Sequence, residues 1–376
     1  MADSNIEQPT AALILCDPPV GSLQIAALTL LDRLVVALHR GGCSPIQVAC
    51  AGALPSLQRS KALGIVVEVV SAIPTMKEPV LIADCRMLVQ PVDVRAVIHQ
   101  RGRLADAAGQ SLTLGLVKSF VTSDVEGALK GLVPVRASGV AGRVESRESA
   151  AELERRLWAS LGSSSDGVVD TYFNRPLGRF LSKILIHTPV TPNQVTVISA
   201  LIGLASAWFF AQGNYTAGIS GAILLQLSAL VDCVDGDLAR VVFKESPIGK
   251  WLDLGLDQVV HVAVFATLAV GLSRAGADAP VLWLGISAVV GAVISFPIVV
   301  RARRLSNKDL DTKLEKFIDA ASTRDFTALI VFLAVIRHLE WFLWLTGITV
   351  HIFWITALIM QLPKKAPAGS AKNSGS

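Results

Sequence analysis

The sequence predicts a multi-domain protein: an N-terminal soluble α/β head followed by a C-terminal all-α region of six transmembrane helices. Three observations lead there. The chain is too apolar for an ordinary soluble enzyme, with 52% hydrophobic and only 17% charged residues and a mean hydropathy of +0.54. That apolarity is uneven: residues 1–165 are mixed, whereas residues 195–362 are dominated by long apolar runs. Within the first part, strand-sized and helix-sized segments alternate, the pattern of an α/β domain with a parallel sheet.

The elements follow in order. "AALILCD" (11–17) is a short apolar strand that stops at the turn "DPPVGS", and "LLDRLVVALHRGG" (30–42) has helical apolar spacing with a glycine stop. "IQVACAG" (46–52), "GIVVEVVS" and "PVLIADC" read as further strands, and "DVRAVIHQ" as a helix. Residues 146–161 form a charged amphipathic helix that closes the head at 165, and "GSSSDG" (162–167) is a flexible break.

Residues 166–193 are read as a linker and a juxtamembrane helix. Arg175, Arg179 and Lys183 recur every four residues, with Phe173, Leu177, Phe180, Leu181, Ile184 and Leu185 on the other side. This is the pattern of a basic amphipathic helix lying on a membrane surface and touching its lipids. "TPVTPN" then breaks the helix, and Asn193 is positioned to cap the next one.

Six spans are expected, roughly at 194–212, 215–241, 247–272, 279–301, 324–340 and 342–362. Only "RHLEW" separates the last two. Basic residues set the orientation. Arg175, Arg179 and Lys183 precede the first span, and Arg240, Lys244 and Lys250 lie between the second and third. Arg301, Arg303, Arg304, Lys308, Lys313, Lys316 and Arg324 lie between the fourth and fifth, and Lys364 and Lys365 follow the sixth. Six spans put all of these on one side, so the head and both termini are expected to be cytoplasmic, in an inner or cell membrane. Residues 363–376 are low in complexity and expected to be disordered.

No secretory signal is expected in the polar residues 1–10. Cys16, Cys43, Cys50, Cys85 and Cys233 are scattered without a CxxC pair, which reads as reduced thiols. The net charge of +4 is modest, and no nucleic-acid partner is expected.

Against this apolar background, Asp232, Asp235, Asp253 and Asp257 need a reason. An aspartate at the bilayer centre costs about 2.5–3.5 kcal/mol, so four unpaired ones would cost on the order of 10 kcal/mol. The spacing shows what offsets this. Asp232 and Asp235 are three residues apart and Asp253 and Asp257 four apart, so each pair shares a helix face. Asp237 falls on the far side of its helix, facing water or another helix. Two such helix ends make an oxygen-rich cage suited to hard divalent cations, and two cations can clamp a phosphorus undergoing displacement. Gly236, Ala239 and Gly249 leave room for a ligand, and Arg240 can pair with phosphate or with the excess carboxylate.

The stretch matches in full the signature D-x2-D-G-x2-A-R-x8-G-x3-D-x3-D: Asp232, Asp235-Gly236, Ala239-Arg240, Gly249, Asp253, Asp257. In this it resembles the CDP-alcohol phosphotransferases, as do the six spans and the "TPNQVT" entry to the first. The resemblance covers about 170–362. It implies transfer of a phosphoalcohol group from a CDP-alcohol donor to an acceptor hydroxyl with release of CMP, two divalent cations (Mg²⁺ or Mn²⁺) and a homodimer. By position it makes Asp232, Asp235 and Asp253 metal ligands, and Asp257 a metal ligand or the catalytic base. Gly236, Ala239 and Arg240 would line the CDP site, with Gly249 packed close. Pro192, Asn193 and Thr196 either contact the nucleotide or only start the helix. Arg301, Arg303, Arg304 and Arg324 either bind an acceptor phosphate or act as positive-inside anchors. His261 reads as a packed helix histidine.

The acceptor would be a lipid hydroxyl or a phosphorylated polar alcohol, within phospholipid or inositol-phosphate metabolism. The head resembles sugar-nucleotidyltransferases, which are fused to this kind of membrane domain in enzymes that make CDP-inositol and then use it. Its loop after the first strand, "CDPPVGSLQIAAL", has one glycine, two prolines and no Lys or Arg before Arg33. That loop is poorly equipped to hold a triphosphate, so the head reads as a degenerate nucleotidyltransferase. Asp84, in "LIADCR", stands where the resemblance would put a metal aspartate. Two rival readings are a bifunctional enzyme whose head makes the CDP-alcohol from CTP, and an ion-coupled transporter using the intramembrane carboxylates.

Overall fold

The computed structural model describes residues 9–120, 124–162, 166–278, 280–305, 312–321 and 323–362. The expected disordered tail, Lys308, Lys364 and Lys365 lie outside the described residues. The chain divides into two compact units. The first comprises Met1–Leu161 with two later segments, Lys183–Pro189 and Asp237–Lys244; the second comprises Gly162–Ser182, Val190–Gly236 and Glu245–Ser376.

The first unit is built on a seven-stranded sheet: β1 Thr10–Cys16, β2 Cys43–Cys50, β3 Val67–Val70, β4 Val80–Asp84, β5 Arg103–Ala105, β6 Ser111–Val117 and β7 Pro134–Arg136. Their order across the sheet is β7-β5-β6-β4-β1-β2-β3. β1 pairs in parallel with β2 (Leu13 opposite Gln47) and with β4 (Leu13 opposite Ile82). The expected parallel sheet has one exception, because β6 runs antiparallel to both β4 and β5. Leu13, Ile14, Leu81 and Ile82 are fully buried, as the continuous apolar runs of β1 and β4 require of central strands covered on both faces.

Three helices of the first unit are α1 Leu30–Arg40, α2 Pro91–Gln100 and α3 Arg147–Ser160. Thr29 caps α1 by accepting from the Asp32 N–H at 3.2 Å, and α1 ends at Gly41, where an added Cβ would lie 2.4 Å from Val94 on α2. Buried Asp32 accepts from the Arg59 and Ser60 N–H groups at 2.7 and 2.8 Å, capping the short turn Gln58–Ala62. Arg33, also buried, donates to Ile25 O at 2.6 Å and Ala26 O at 3.1 Å, and burial lowers its pKa to about 10. The segment Asp237–Lys244 contributes core residues to this unit. Val241, Val242 and Phe243 are buried, and the Phe243 carbonyl accepts from Arg40 at 2.7 Å and Arg59 at 2.6 Å.

The second unit is helical. A π-helical turn at Asp170–Asn174 leads into α4 Arg175–Leu185, followed by α5 Pro192–Phe210, α6 Tyr215–Val241, α7 Pro247–Arg274, α8 Pro280–Leu305, α9 Thr312–Ala321, α10 Asp325–Val335 and α11 Leu339–Met360. Five of these are long and apolar enough to cross a membrane: Pro192–Phe210, Tyr215–Val241, Pro247–Arg274, Pro280–Arg303 and Leu339–Met360. The protein is an integral membrane protein.

The fifth expected span, 324–340, is instead the 11-residue α10. At 1.5 Å per residue it rises only about 16 Å, half of a hydrocarbon core. It stops because Arg337 adopts a left-handed φ of 66°, which the next helix start at Leu339 requires. The cap of α5 also differs from expectation. It is Thr191, whose hydroxyl accepts from Gln194 N–H while Gln194 Oε1 accepts from Thr191 N–H at 2.9 Å, with Pro192 as the first helical residue.

α4 presents Leu177, Phe180 and Ile184 outward, as the turn before it does Phe173, the pattern of a membrane-surface helix. Arg175 is not part of a free basic stripe; it is buried and makes two bonds to Asp166, at 2.9 and 2.8 Å. α5 and α7 approach closely at Gly271, where an added Cβ would lie 1.9 Å from the Phe210 carbonyl oxygen. α8 and α11 are pinned by a polar clip. The Trp354 indole N–H donates to His351 Nδ1 at 3.0 Å, and Ser287 Oγ lies 2.9 Å from His351 Nε2.

Candidate active site

α6 ends and α7 begins around the short connection 242–246, and this places both aspartate pairs at the same end of the second unit. Asp232, Asp235 and Asp253 each present a carboxylate oxygen to one group, all of those oxygens lying within 4.8 Å of one another. Asp232 and Asp235 are buried, and Asp253 is half-buried. Asp257 follows one turn along α7 from Asp253, within electrostatic reach of Asp232, Asp253, Asp235 and Arg324.

Two contacts hold this group. Arg324, at the N-terminus of α10, bonds to Asp232 Oδ2, and its other terminal nitrogen lies 3.7 Å from Cys233 Sγ. Thr196 on α5 donates its hydroxyl to Asp235 Oδ2. Two buried oxygens remain without a hydrogen-bond partner, Asp232 Oδ1 and Asp253 Oδ1. Buried carboxylate oxygens are normally satisfied. Converging, unsatisfied hard oxygens are what a divalent cation coordinates, so the residues present fit such an ion.

The remaining expected residues fall into place unevenly. Gly249 abuts Asn193: an added Cβ would lie 2.9 Å from Asn193 Oδ1, so glycine is needed for that approach. The Gly249 N–H donates to Ser246 Oγ at 2.9 Å, capping α7. Thr196 is buried against the cage rather than open at a helix start. Gly236 and Ala239 are half-buried on α6. Arg240 pairs with Asp237 at 2.9 Å, and Asp237, expected to face water or another helix, is fully buried in that ion pair. Arg301 and Arg303 are exposed, although the Arg303 charge reaches Asp253. The Arg304 side chain lies outside the described residues. His261 packs as expected, its ring 5.5 Å from that of Phe326 and 6.2 Å from that of Phe265.

Residues 189–362 match the CDP-alcohol phosphatidyltransferase family. They form a CDP-alcohol phosphatidyltransferase domain. Similar curated proteins include the bifunctional IPC transferase and DIPP synthase of Aquifex aeolicus, 36% identical over 28% of this chain and 24% of its own length. The protein of that name from Rubrobacter xylanophilus is 31% identical over 45% of this chain and 36% of its own length. The chain thus spans only a quarter to about a third of these relatives. The archaetidylinositol phosphate synthase of Aeropyrum pernix is 28% identical over 50% of this chain and 90% of its own length. Among solved structures, the apo phosphatidylinositol phosphate synthase of Mycobacterium tuberculosis aligns with 48% of this chain and 93% of its own, at 21% identity and a TM-score of 0.39.

The carboxyl edge of the head sheet was the other candidate. There Arg86 pairs with Asp17 at 2.7 Å, and its backbone N–H donates to Asp84 Oδ1 at 2.9 Å. The loop after β1 folds into a helical turn, Pro18–Gly21. Gly21 packs there against Cys16 and Cys85, and the Asp17 N–H donates to Cys85 Sγ at 3.1 Å. Asp84, the candidate metal aspartate, and its neighbour Asp17 are both engaged by Arg86.

Proposed function

We propose that the transferase domain moves a phosphoalcohol group from a CDP-alcohol to an acceptor hydroxyl and releases CMP, in a reaction dependent on divalent metal. The observation that carries this is the convergence of Asp232, Asp235 and Asp253 within 4.8 Å, with two buried oxygens left unsatisfied. These three residues, with Asp257, would hold one or two Mg²⁺ or Mn²⁺ ions. When bound, the metal supplies positive charge to the phosphoryl oxygens as they gain charge.

The other roles belong to the chain itself. Asp257 takes the acceptor hydroxyl proton. Thr196 orients Asp235. Gly236, Ala239, Arg240, Gly249 and Asn193 make room for and contact the CDP. Arg301, Arg303, Arg304 and Arg324 bind an acceptor phosphate. The relatives named as archaetidylinositol phosphate synthase and phosphatidylinositol phosphate synthase support an inositol-phosphate acceptor. In this reading the head and both termini are cytoplasmic, and the protein is a homodimer in contact with membrane lipids.

The test is CMP release by the full chain in detergent with Mg²⁺. Donors would be CDP-diacylglycerol, CDP-inositol, CDP-ethanolamine and CDP-glycerol against mixed acceptors, beside Asp257→Asn. Release with one donor, lost in the variant, supports the reading. Absence of both release and CDP binding refutes it.

A second reading rests on the names of the relatives that are bifunctional, namely that the head makes the CDP-alcohol from CTP. The engagement of Asp17 and Asp84 by Arg86 favours a head without that activity. Pyrophosphate release from CTP and inositol phosphate by the full chain decides between them.

A further inference from the structure

Inside the helical unit, polar side chains far from one another in sequence form a single chain of hydrogen bonds. Asn174 Nδ2 donates to Asp170 Oδ1 at 2.8 Å. Gln226 Nε2 donates to Asn174 Oδ1 at 2.8 Å, and Thr327 Oγ1 lies 2.8 Å from Gln226 Oε1. The Thr327 hydroxyl also lies 2.8 Å from the Arg324 carbonyl, which accepts from the Thr327 N–H at 3.0 Å. Asp170, Asn174 and Thr327 are all buried, and Gln226 is half-buried in a span-length helix. Polar groups at such positions are expensive unless their partners are fixed.

The direction of the chain is set by one group. Asp170 Oδ1 accepts from the Asn174 amide. Asn174 must therefore turn its amide nitrogen to Asp170 and its oxygen to Gln226. Gln226 must then donate with its nitrogen and present its oxygen to Thr327, which must donate. Each amide is locked in one of its two orientations, the Thr327 hydroxyl spends its one hydrogen on Gln226, and Thr327 is tied by its backbone N–H to the carbonyl of Arg324, the residue whose guanidinium bonds to Asp232. A second tie runs alongside it. The Asp325 carboxylate accepts from the Val168 and Val169 N–H groups at 2.9 and 2.8 Å. The start of α10, which carries Arg324, is thus fixed to the turn that opens α4.

We propose that Asn174, Gln226 and Thr327, oriented by Asp170, are positioning residues. They set where the Arg324 guanidinium stands against Asp232, and through it they set affinity for the phosphorylated acceptor rather than for the CDP-alcohol. The acceptor half of this statement rests on the role proposed above for Arg324. The chain itself rests on geometry alone. None of the three touches the carboxylate cage; they act on it through Arg324.

The test uses the full chain in detergent with Mg²⁺, CDP-diacylglycerol as donor and inositol phosphate as acceptor, varying each separately. Gln226→Met and Thr327→Val should raise the acceptor KM about tenfold, the scale of losing hydrogen bonds that orient a functional side chain. The donor KM should stay within about twofold of wild type. Thr327→Ser, which restores the hydroxyl, should rescue. Combining Gln226→Met with Arg324→Lys should do no more than Arg324→Lys alone. Equal rises in both KM values, or additive losses, would overturn the proposal.

Amide hydrogen exchange without substrate gives an independent reading. Gln226→Met should speed exchange in both 168–176 and 325–330; unchanged exchange in either segment refutes the chain. A wild-type protein that releases no CMP would refute the reading of the site, and the exchange comparison would still decide the chain.

Discussion

Acidic side chains gather at two places in this molecule, and their neighbours separate them. At the carboxyl edge of the head sheet, Arg86 serves both Asp17 and Asp84, all three partly exposed to water. At the α6–α7 junction, one guanidinium, Arg324, bonds a single oxygen of Asp232, while Asp235, Asp253 and Asp257 stand close by and two buried oxygens go unsatisfied. The first arrangement lacks one positive charge, and water reaches it to make up the difference. The second is short of positive charge in a place where water cannot supply the difference. A site that needs a cation shows itself by this shortfall, not by the number of its carboxylates.

If that contrast is right, changes in the two places should fail in different ways. The largest effect is expected at the cage. Asp253→Asn keeps the size but removes a ligand charge, and CMP release should fall about 10³-fold or more, on the scale of losing a key transition-state charge contact. The protein should still purify as folded, and a variant retaining a tenth of wild-type turnover would break the comparison. Chelation is the reversible counterpart. EDTA should abolish CMP release and added Mg²⁺ or Mn²⁺ should restore it, whereas persistence of full activity in chelator would remove the metal from the reading.

In the first unit the expected losses are of stability rather than turnover. Phe243→Ala removes a buried ring that lies under two guanidinium groups, at 5.8 Å from Arg33 and 5.2 Å from Arg40. It should cost about 3 kcal/mol, read as a lowered unfolding midpoint of the head in denaturant. The smallest effect belongs to Arg86→Met, which breaks a partly exposed ion pair. A change within about 1 kcal/mol, with CMP release unaffected, is expected. A large loss of transfer in Arg86→Met would mean that the head edge takes part in the chemistry after all.

The cage was legible in the sequence because its spacing is local: three-residue and four-residue separations on helices put each pair on one face, whatever the tertiary packing. Its partners were not legible, since Arg324 and Asp232 lie 92 positions apart and Thr196 and Asp235 lie 39 apart. The sequence reads Arg324 as an acceptor-phosphate contact or a positive-inside anchor, and Thr196 as a nucleotide contact or helix start. Gln226 carried a faint signal, an amide within a long apolar run, but nothing in the run names Asn174 or Thr327 as its partners.

The fifth helix is shorter than expected for a different reason. Hydropathy counts apolar residues across 324–340 and is blind to a left-handed turn at Arg337, a residue with no local preference for it. In the head, the periodic runs gave the strands themselves, but strand direction depends on connections, and the reversal of β6 left no mark in its own residues.

The burial of Val241, Val242 and Phe243 in the first unit has a practical consequence for anyone dissecting the protein. A fragment ending at Leu161 would keep the sheet and its helices yet lack three pieces of its own interior. The guanidinium groups of Arg40 and Arg59 would lose the carbonyl they share. Such a fragment would expose a greasy slot and invite self-association. Supplying residues 237–244 on a short flexible linker is the cut that respects how the interior is filled.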